Sequence, residues 1–174
     1  SMALPLKGVD PLTSLPVLAE KQFFRFLWDS SPEICIAASG KCQSLEMSGP
    51  YRFDLAQQFS DKTFAQLIDI TPQGPVNALP RIFLAFSFFE NIKDSDNHIA
   101  GSASFQAVLP RWQLSAQSGR AWLRINTVIN NESDIRENAE HLWLQRQNLC
   151  QTILNDLHDV RQNISIISSS NSWE

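Results

Sequence analysis

The apolar run at residues 81–89 constrains the fold of this chain more than any other feature. From Ile82 to Phe86 it contains no polar residue, so apolar and polar positions do not alternate. A strand with this pattern is typical of the centre of a layered protein, where both faces of the strand are buried. We therefore predict that residues 81–89 form a central strand with both faces covered.

Two further strands are predicted after this run. Residues 105–114 alternate at first, and the apolar phase then changes at Pro110-Arg111. Proline cannot donate a hydrogen bond to a neighbouring strand, so the phase change predicts a bulge or a sheet edge there. A turn at residues 117–119 should return the chain as a third, antiparallel strand over residues 121–129. Four side chains of that strand are predicted to share one face: Leu123, Ile125, Thr127 and Ile129.

Shorter strands are predicted in the amino-terminal part of the chain. Residues 4–18 hold three prolines among aliphatic residues, which predicts an extended lead-in that could serve as an edge strand. The aromatic segment at residues 23–28 predicts a strand that ends in turn-forming residues. Residues 34–38 and 43–47 predict the two arms of a hairpin around Ser39-Gly40-Lys41.

Two helices complete the predicted fold. Residues 51–70 carry two apolar stripes offset by one position, which predicts a helix that kinks or restarts at Ser60-Asp61. Residues 131–164 repeat apolar side chains every three or four positions, the pattern of an amphipathic helix, and Asn131 with Asp134 resembles a capping pair. This second helix is longer than a domain of this size needs, so we expect it to project towards something outside the chain.

These elements predict an α+β fold in which antiparallel β-sheet layers pack against a mid-chain helix and a long carboxy-terminal helix. The 174 residues are enough for one domain with its own core. We therefore predict a single domain over residues 1–174. Residues 1–20 would be its extended lead-in, and residues 165–174 a disordered or truncated tail.

Charge and cysteine content exclude several classes of function. The net charge is −4 and Lys and Arg are not clustered, which argues against a nucleic-acid partner. No apolar run approaches the roughly 18–20 residues of a membrane span, and no signal segment is recognisable, so we expect a cytoplasmic protein without a membrane partner. Cys35 and Cys42 could face each other across the predicted hairpin, but buried free thiols fit three unspaced cysteines better.

Motifs that would carry chemistry are sparse. The glycines are scattered rather than grouped into a phosphate-binding loop, and zinc-ligand spacing is absent. We interpret His98, His141 and His158 as a solvated loop residue and two surface residues. Arg111, beside Trp112, is the candidate for binding a carboxylate, because a guanidinium can hold both carboxylate oxygens at once. The alternative for Arg111 is a strand-end arginine paired with a neighbouring acidic residue.

The Phe-rich run and the strand after it also carry a family resemblance. Phe83-Leu84-Ala85-Phe86-Ser87-Phe88-Phe89, a polar loop and Leu109-Pro110-Arg111-Trp112-Gln113-Leu114 resemble the amino-terminal half of cyanobacterial isochorismate synthases. These belong to the chorismate-utilising enzymes, together with anthranilate and salicylate synthases. The chain departs from many relatives at Phe83-Leu84-Ala85, where they have paired glycines. Three shorter pieces support the resemblance: Phe26-Leu27-Trp28-Asp29, Ala37-Ala38-Ser39-Gly40 and Tyr51-Arg52-Phe53.

The resemblance implies that the intact protein is an isomerase that converts chorismate to isochorismate with Mg²⁺, in phylloquinone or menaquinone biosynthesis. In that family a lysine and several glutamates carry the chemistry, and all lie in the carboxy-terminal half. The resemblance therefore implies no catalytic, cofactor-binding or metal residue in this chain, and an amino-terminal portion that is inactive alone. Its partner would be the catalytic half, through which chorismate is bound. Four glutamates of this chain lie in nothing like the family's acidic metal motifs: Glu90, Glu132, Glu137 and Glu140.

A regulatory role is the second hypothesis. Relatives that are regulated by an amino acid bind it near the segment that aligns with residues 26–30, where this chain has Trp28 and Asp29 in place of the residues those enzymes use. This difference argues against amino-acid inhibition. The alternative to an enzyme portion is a standalone small-molecule-binding or regulatory module with the same half-fold. An enzyme portion would leave apolar surface exposed, or cover it by self-association, whereas a standalone module would cover its own sheet.

Overall fold

The computed structural model describes residues 1–19, 24–30, 33–71, 74–88, 103–129 and 135–170. Their elements confirm the predicted α+β fold, with an antiparallel sheet and α-helices. The strands are β1 (Met2–Lys7), β2 (Arg25–Ser30), β3 (Ile34–Met47), β4 (Phe83–Phe86), β5 (Phe105–Gln117) and β6 (Arg120–Ile125). The helices are α1 (Pro11–Leu18), α2 (Arg52–Ala65) and α3 (Ile135–Ser170), and a single 3-10 turn spans Val76–Ala78.

Two long strands organise the sheet, whose order is β1-β6-β5-β3-β2. β3 and β5 pair along nearly their whole lengths. On its other side β5 pairs with β4 at its beginning and with β6 at its end. The sheet therefore has two halves that share β3 and β5. We call the half with β1, β2 and β6 the covered half, and the half with β4 the open half.

Helices α1 and α3 bury one face of the covered half. Leu114 of β5 stands opposite Leu123 of β6 and Ala37 of β3, and all three are fully buried. Leu142 and Ile153 of α3 pack into the same cluster. Burial of this apolar surface is the main source of stability in this half.

Helix α2 covers the open half with a smaller cluster. Ala56 of α2 packs against Phe105 and Ala107 of β5, with partly buried Leu45 and Phe59 beside them. Ser60 donates its hydroxyl to the carbonyl of Ala56 at 2.8 Å, a back-bond that helices tolerate. The predicted restart of the helix at Ser60-Asp61 is wrong because α2 continues without interruption to Ala65, and the helix ends before the predicted Ile70.

The prediction of a central strand at residues 81–89 is also wrong. The strand in this run is only four residues long and pairs only with β5 among the described strands. Leu84 is 48% exposed and Phe88 is 91% exposed. Apolar residues in this run do not all mark burial within the sheet. The Phe86 ring, for example, is partly exposed and stacks between the rings of Phe53 and Phe105. Phe89 lies outside the described residues.

The predicted hairpin at residues 34–47 is instead one strand, β3, with an irregularity in its middle. Pairing with β5 shifts between Lys41 and Gln43, so Cys42 is an additional residue at a β-bulge. Gly40, just before it, has φ 67, a left-handed conformation that glycine adopts without strain. The bulge lies opposite Pro110, where the sequence predicts an irregularity, although the extra residue is in the neighbouring strand. Cys35 and Cys42 are free, half-buried thiols.

The predicted extended lead-in over residues 1–20 is only partly correct. Its beginning forms β1, an edge strand paired with β6. Residues 11–18 form α1, because Asp10 caps the helix with a side-chain hydrogen bond to the Leu12 amide, and Pro11 suits the first helical turn. Pro16 lies within this short helix rather than preventing it.

The β5–β6 hairpin and the long last helix agree with the sequence patterns. Ser118 and Gly119, at φ 49 and φ 75, form the two-residue turn between β5 and β6. β6 ends at Ile125, earlier than predicted. Helix α3 has 36 residues, roughly 54 Å at the usual rise per residue. It includes residues 165–170, the first part of the segment predicted to be a disordered or truncated tail, and the predicted caps Asn131 and Asp134 lie outside the described residues.

Among the described residues, none of the helices combines the length and apolar character needed to cross a bilayer.

Candidate functional site

A cavity of about 420 Å³ lies where the β3 bulge, the end of α2 and the segment after β6 meet. The bulge contributes Cys42 and Gln43 to its wall, and α2 contributes Thr63. The Thr63 hydroxyl donates to the Gln43 amide oxygen at 3.4 Å, which links the helix to the bulge. The remaining lining residues mix polar and apolar side chains: Ser1, Gln66, Leu67, Ile68, Leu109, Thr127, Val128, Ile129 and Ile135.

The thiol of Cys42 is the ionisable side chain in the lining of this cavity. Burial raises its pKa, while the positive charges of the amino terminus and Arg111 act in the opposite direction. Because burial is the larger effect, the thiol is protonated near neutral pH and is a poor nucleophile. The cavity therefore offers hydrogen-bonding and apolar groups rather than a reactive centre.

Arg111, the predicted carboxylate-binding residue, lies near this cavity. Its backbone carbonyl accepts a hydrogen bond from the Asn126 amide at 2.7 Å, which fixes the strand beside the bulge. Its side chain is exposed, and its charge reaches the Cys42 thiol. Carboxylate binding by Arg111 remains a prediction.

The other residues considered from the sequence are dispersed. His141, Glu137 and Glu140 are exposed on α3, where Glu140 pairs with Arg136. Trp28 and Asp29 lie exposed on β2. Within the described ranges, no three His, Cys, Asp or Glu residues are grouped closely enough to hold a metal ion. Four further positions cannot be placed in this way: Glu90, His98 and Glu132 lie outside the described residues, and the side chain of His158 is not described.

The whole sequence, residues 1–174, matches the family model described as chorismate binding enzyme. The chain belongs to the chorismate-binding enzyme family. No curated protein and no solved structure matches it closely enough to refine this assignment.

In this member of the chorismate-binding enzyme family, sequence reasoning missed a polar network on the sheet face opposite Leu114 and Leu123. The Arg124 Nε donates to the Ala78 carbonyl at 2.7 Å, and the Ser115 hydroxyl donates to the Asn77 carbonyl at 2.5 Å. Gln113 donates to the Leu79 carbonyl at 3.2 Å. These hydrogen bonds hold the 3-10 turn and the residue after it against the sheet. The turn therefore covers this second face of the covered half.

Arg124 is the centre of that network. It is 2% exposed, and its Nη1 forms an ion pair with the Asp69 carboxylate at 2.9 Å. Alternation along β6 predicts only that Arg124 points away from Leu123, and an arginine there would ordinarily face water. Pro75 and Pro80 predict a loop between α2 and β4, but they give no signal that the carbonyls of this loop accept hydrogen bonds from the sheet.

A second buried arginine, Arg52, was also missed as a functional candidate. It belongs to the first turn of α2 and is 6% exposed. Its sequence position carried a weak signal, because it lies inside Tyr51-Arg52-Phe53, one of the pieces that resemble isochorismate synthases. The pattern alone predicts a helix start there and not a buried charge.

Proposed function

We propose that the chain is the amino-terminal structural portion of an isochorismate synthase. The intact enzyme would convert chorismate to isochorismate with Mg²⁺, in phylloquinone or menaquinone biosynthesis. Membership of the chorismate-binding family supports the chorismate-utilising part of this proposal. The choice of isochorismate synthase rests on the resemblance of the Phe83–Phe89 run and the Leu109–Leu114 segment.

The exposure of β4 is the structural observation that favours a portion of a larger body. Leu84, Phe86 and Phe88 all lie in the family-like run and are exposed, and exposed apolar side chains grouped in one patch are typical of an interaction surface. Tyr51 and Phe53 at the start of α2 are exposed at the same end of the open half. In the proposed enzyme, the catalytic half covers this surface and the covered half serves as its rigid support.

The proposal gives this portion no part in the chemical step. Addition of water to chorismate needs a base, an acid and a cation that stabilises the substrate carboxylate. The described carboxylates do not fit Mg²⁺, because no three of them approach one another and Glu137 and Glu140 are exposed on one helix. The proposal assigns the cation and the proton-transferring groups to the carboxy-terminal half.

The mass of the native polypeptide tests this proposal most directly. An antibody raised against the chain is used on an extract of the source cells, with the purified 19.7 kDa chain as size marker. We expect a band far above the marker, and the longer protein should consume chorismate in the presence of Mg²⁺. A single band at the marker's position would contradict the proposal, as would isochorismate formation by the purified 174-residue chain.

The cavity at the β3 bulge favours a second candidate function, a standalone small-molecule-binding or regulatory module. Its volume of about 420 Å³ suits a small metabolite, and Gln43, Thr63 and Gln66 offer polar groups. Sedimentation and binding of a dye specific for apolar surface separate the two candidates. A dye-negative monomer favours the module, whereas a dye-positive or self-associating chain favours the enzyme portion.

A further inference from the structure

The guanidinium of Arg52 is a buried positive charge for which the described residues supply no anion. Its Nε and Nη1 atoms are buried, and within the part of the chain that the structure describes neither donates a hydrogen bond. These two atoms carry three of the five N–H donors of an arginine. Buried charges in proteins are ordinarily paired, so an unpaired one indicates that an anion is missing.

The beginning of α2 adds further donors at the same place. The first N–H groups of an α-helix have no acceptor within the helix, and the helix dipole favours a negative charge there. Tyr51, at the N-cap position, makes no side-chain capping hydrogen bond. Among the described residues the buried hydroxyl of Ser104 also has no partner, while the Ser104 amide donates to the Ser48 hydroxyl, four residues before Arg52. Unsatisfied donors thus lie just before β5 and at the start of α2, at one end of the open half.

Aromatic rings form the wall of this site. The Cζ atom of Arg52 lies 5.1 Å from the centre of the Phe53 ring, and that ring stacks on Phe86 at 4.7 Å. Phe53 is 58% exposed, so a flat apolar group can lie against it next to the guanidinium. The acidic residue of the same helical turn, Asp54, is on the exposed surface.

From the buried unpaired guanidinium, the uncapped helix and the exposed rings, we infer that Arg52 is the anchor of a binding site for a small carboxylate attached to a planar ring. The carboxylate accepts hydrogen bonds from Arg52 and from the first turn of α2, and the ring packs on Phe53. The site lies apart from the cavity at the β3 bulge and from β2. It does not depend on the proposed function.

Benzoate is a suitable probe, with benzamide as its neutral counterpart and acetate as the carboxylate without a ring. Thermal unfolding of the unmodified chain is followed at constant ionic strength in each of the three. At a concentration about five times its Kd, benzoate should raise Tm by about 2–4 °C. Benzamide should give no rise, and acetate should bind at least about tenfold more weakly than benzoate because it has no ring to pack on Phe53.

Substitution of the arginine separates binding from a structural role. Arg52→Met keeps the apolar stem but removes the buried charge, so it should abolish the benzoate response while leaving Tm of the free chain unchanged or raised. Arg52→Lys keeps a charge without the planar fork and should weaken benzoate binding about tenfold. Arg136→Met, at an exposed position of α3, is the matched control and should keep the full response.

Three results would overturn the inference. One is a benzoate response no larger than that of benzamide in the unmodified chain. Another is a response that persists in Arg52→Met. The third is a response that Arg111→Gln abolishes and Arg52→Met does not, which would assign carboxylate binding to Arg111 beside the bulge cavity. If Arg52→Met fails to fold, the guanidinium is structural, and the Arg52→Lys titration then decides whether benzoate binds there at all.

Discussion

The two halves of the sheet share β3 and β5 but differ in how their surfaces are closed. In the covered half, helices α1 and α3 bury the apolar face, and Arg124, Gln113 and Ser115 bind the carbonyls that close the other face. In the open half, α2 covers a smaller cluster, and Leu84 and Phe86 of β4 remain exposed. The same two strands are therefore covered on both faces in one half of the sheet, whereas in the other half an apolar surface is exposed and can bind another group.

The two halves also differ in how a buried arginine is paired. Arg124 in the covered half has a carboxylate and a carbonyl as partners. Arg52 in the open half is almost as buried, but its Nε and Nη1 have no acceptor among the described residues. Removing one member of a buried pair is destabilising because the other is left unsatisfied, whereas an unpaired buried charge already carries a desolvation cost that a ligand or partner can remove. The open half is thus where binding should produce the larger change in stability.

The largest expected contrast comes from removing one leucine in each half. Leu123→Ala in the covered half should lower the free energy of unfolding by about 2–5 kcal/mol, because it leaves a cavity in a fully buried cluster. Leu84→Ala on β4 should lower it by less than about 1 kcal/mol, because that side chain is half exposed. Urea unfolding measures both values, and equal losses would contradict the division into halves.

Replacing the paired arginine should have the next largest effect. Arg124→Met leaves the Ala78 carbonyl and Asp69 without their buried donor and should lower the free energy of unfolding by about 2–3 kcal/mol. The same change at Arg52 is expected to have the opposite sign or none. Thermal and urea unfolding of the two variants test this directly, and a loss of similar size at both positions would show that Arg52 is paired in solution.

Substitutions in the Ser118-Gly119 turn between β5 and β6 should change the free energy of unfolding less than those at Leu123 and Arg124. Gly119→Ala places a side chain at φ 75 and should cost about 1 kcal/mol in unfolding free energy. Ser118→Asn should stabilise the same turn by a few tenths of a kcal/mol, about 0.5 at most, since Asn-Gly favours two-residue hairpin turns. Opposite shifts in the urea midpoint would confirm the turn, and two shifts of the same sign would contradict it.

The smallest expected effect is a pH dependence at Asp69, which links the covered half to the end of α2. Burial opposes ionisation of this carboxyl, but hydrogen bonds from Thr71 and the charge of Arg124 together lower its pKa. Because the folded pKa lies below the unfolded value of about 3.9, Asp69 stabilises the fold above that pH. This contribution is lost as the pH falls through the folded pKa.

Comparison with Asp69→Asn isolates that contribution. The difference in unfolding free energy between the two proteins should be constant from about pH 5 to 7 and should shrink below about pH 4. Denaturant unfolding across this range measures it. A difference that stays constant down to about pH 2 would show that Asp69 has an unperturbed pKa.

Sequence patterns predicted the parts of this fold that rest on local periodicity. The β5–β6 hairpin, helix α3 and the α+β class follow from alternation, from apolar residues three and four apart and from the Ser118-Gly119 turn. The patterns failed where a tertiary contact decides. A uniformly apolar run is typical of a central strand, but among the described strands β4 pairs only with β5, and its Phe86 ring stacks on Phe53 of α2. Gly40 is typical of a turn but lies beside a bulge.

The candidate sites could likewise be predicted from the sequence only in part. Arg111 was singled out for its type and neighbours, and it does lie near the bulge cavity. The cavity itself is built from α2, the bulge and the segment after β6, which are far apart in sequence. Whether an arginine is buried, and whether its donors are satisfied, depends on such distant contacts. Arg52 and Arg124 could therefore not be distinguished from exposed arginines before the fold was known.

The pairing of β1 with β6 has a consequence for how the chain reaches its native state. The β5–β6 hairpin joins neighbouring residues and can form in about 1–10 μs. β1 must find its partner across about 120 residues of chain, as in the pairing of Met2 with Ile125. Such non-local pairing is slow because a long loop must close first. Until β1 arrives, β6 is an open apolar edge that a second chain can occupy, so refolding and aggregation compete at this one strand.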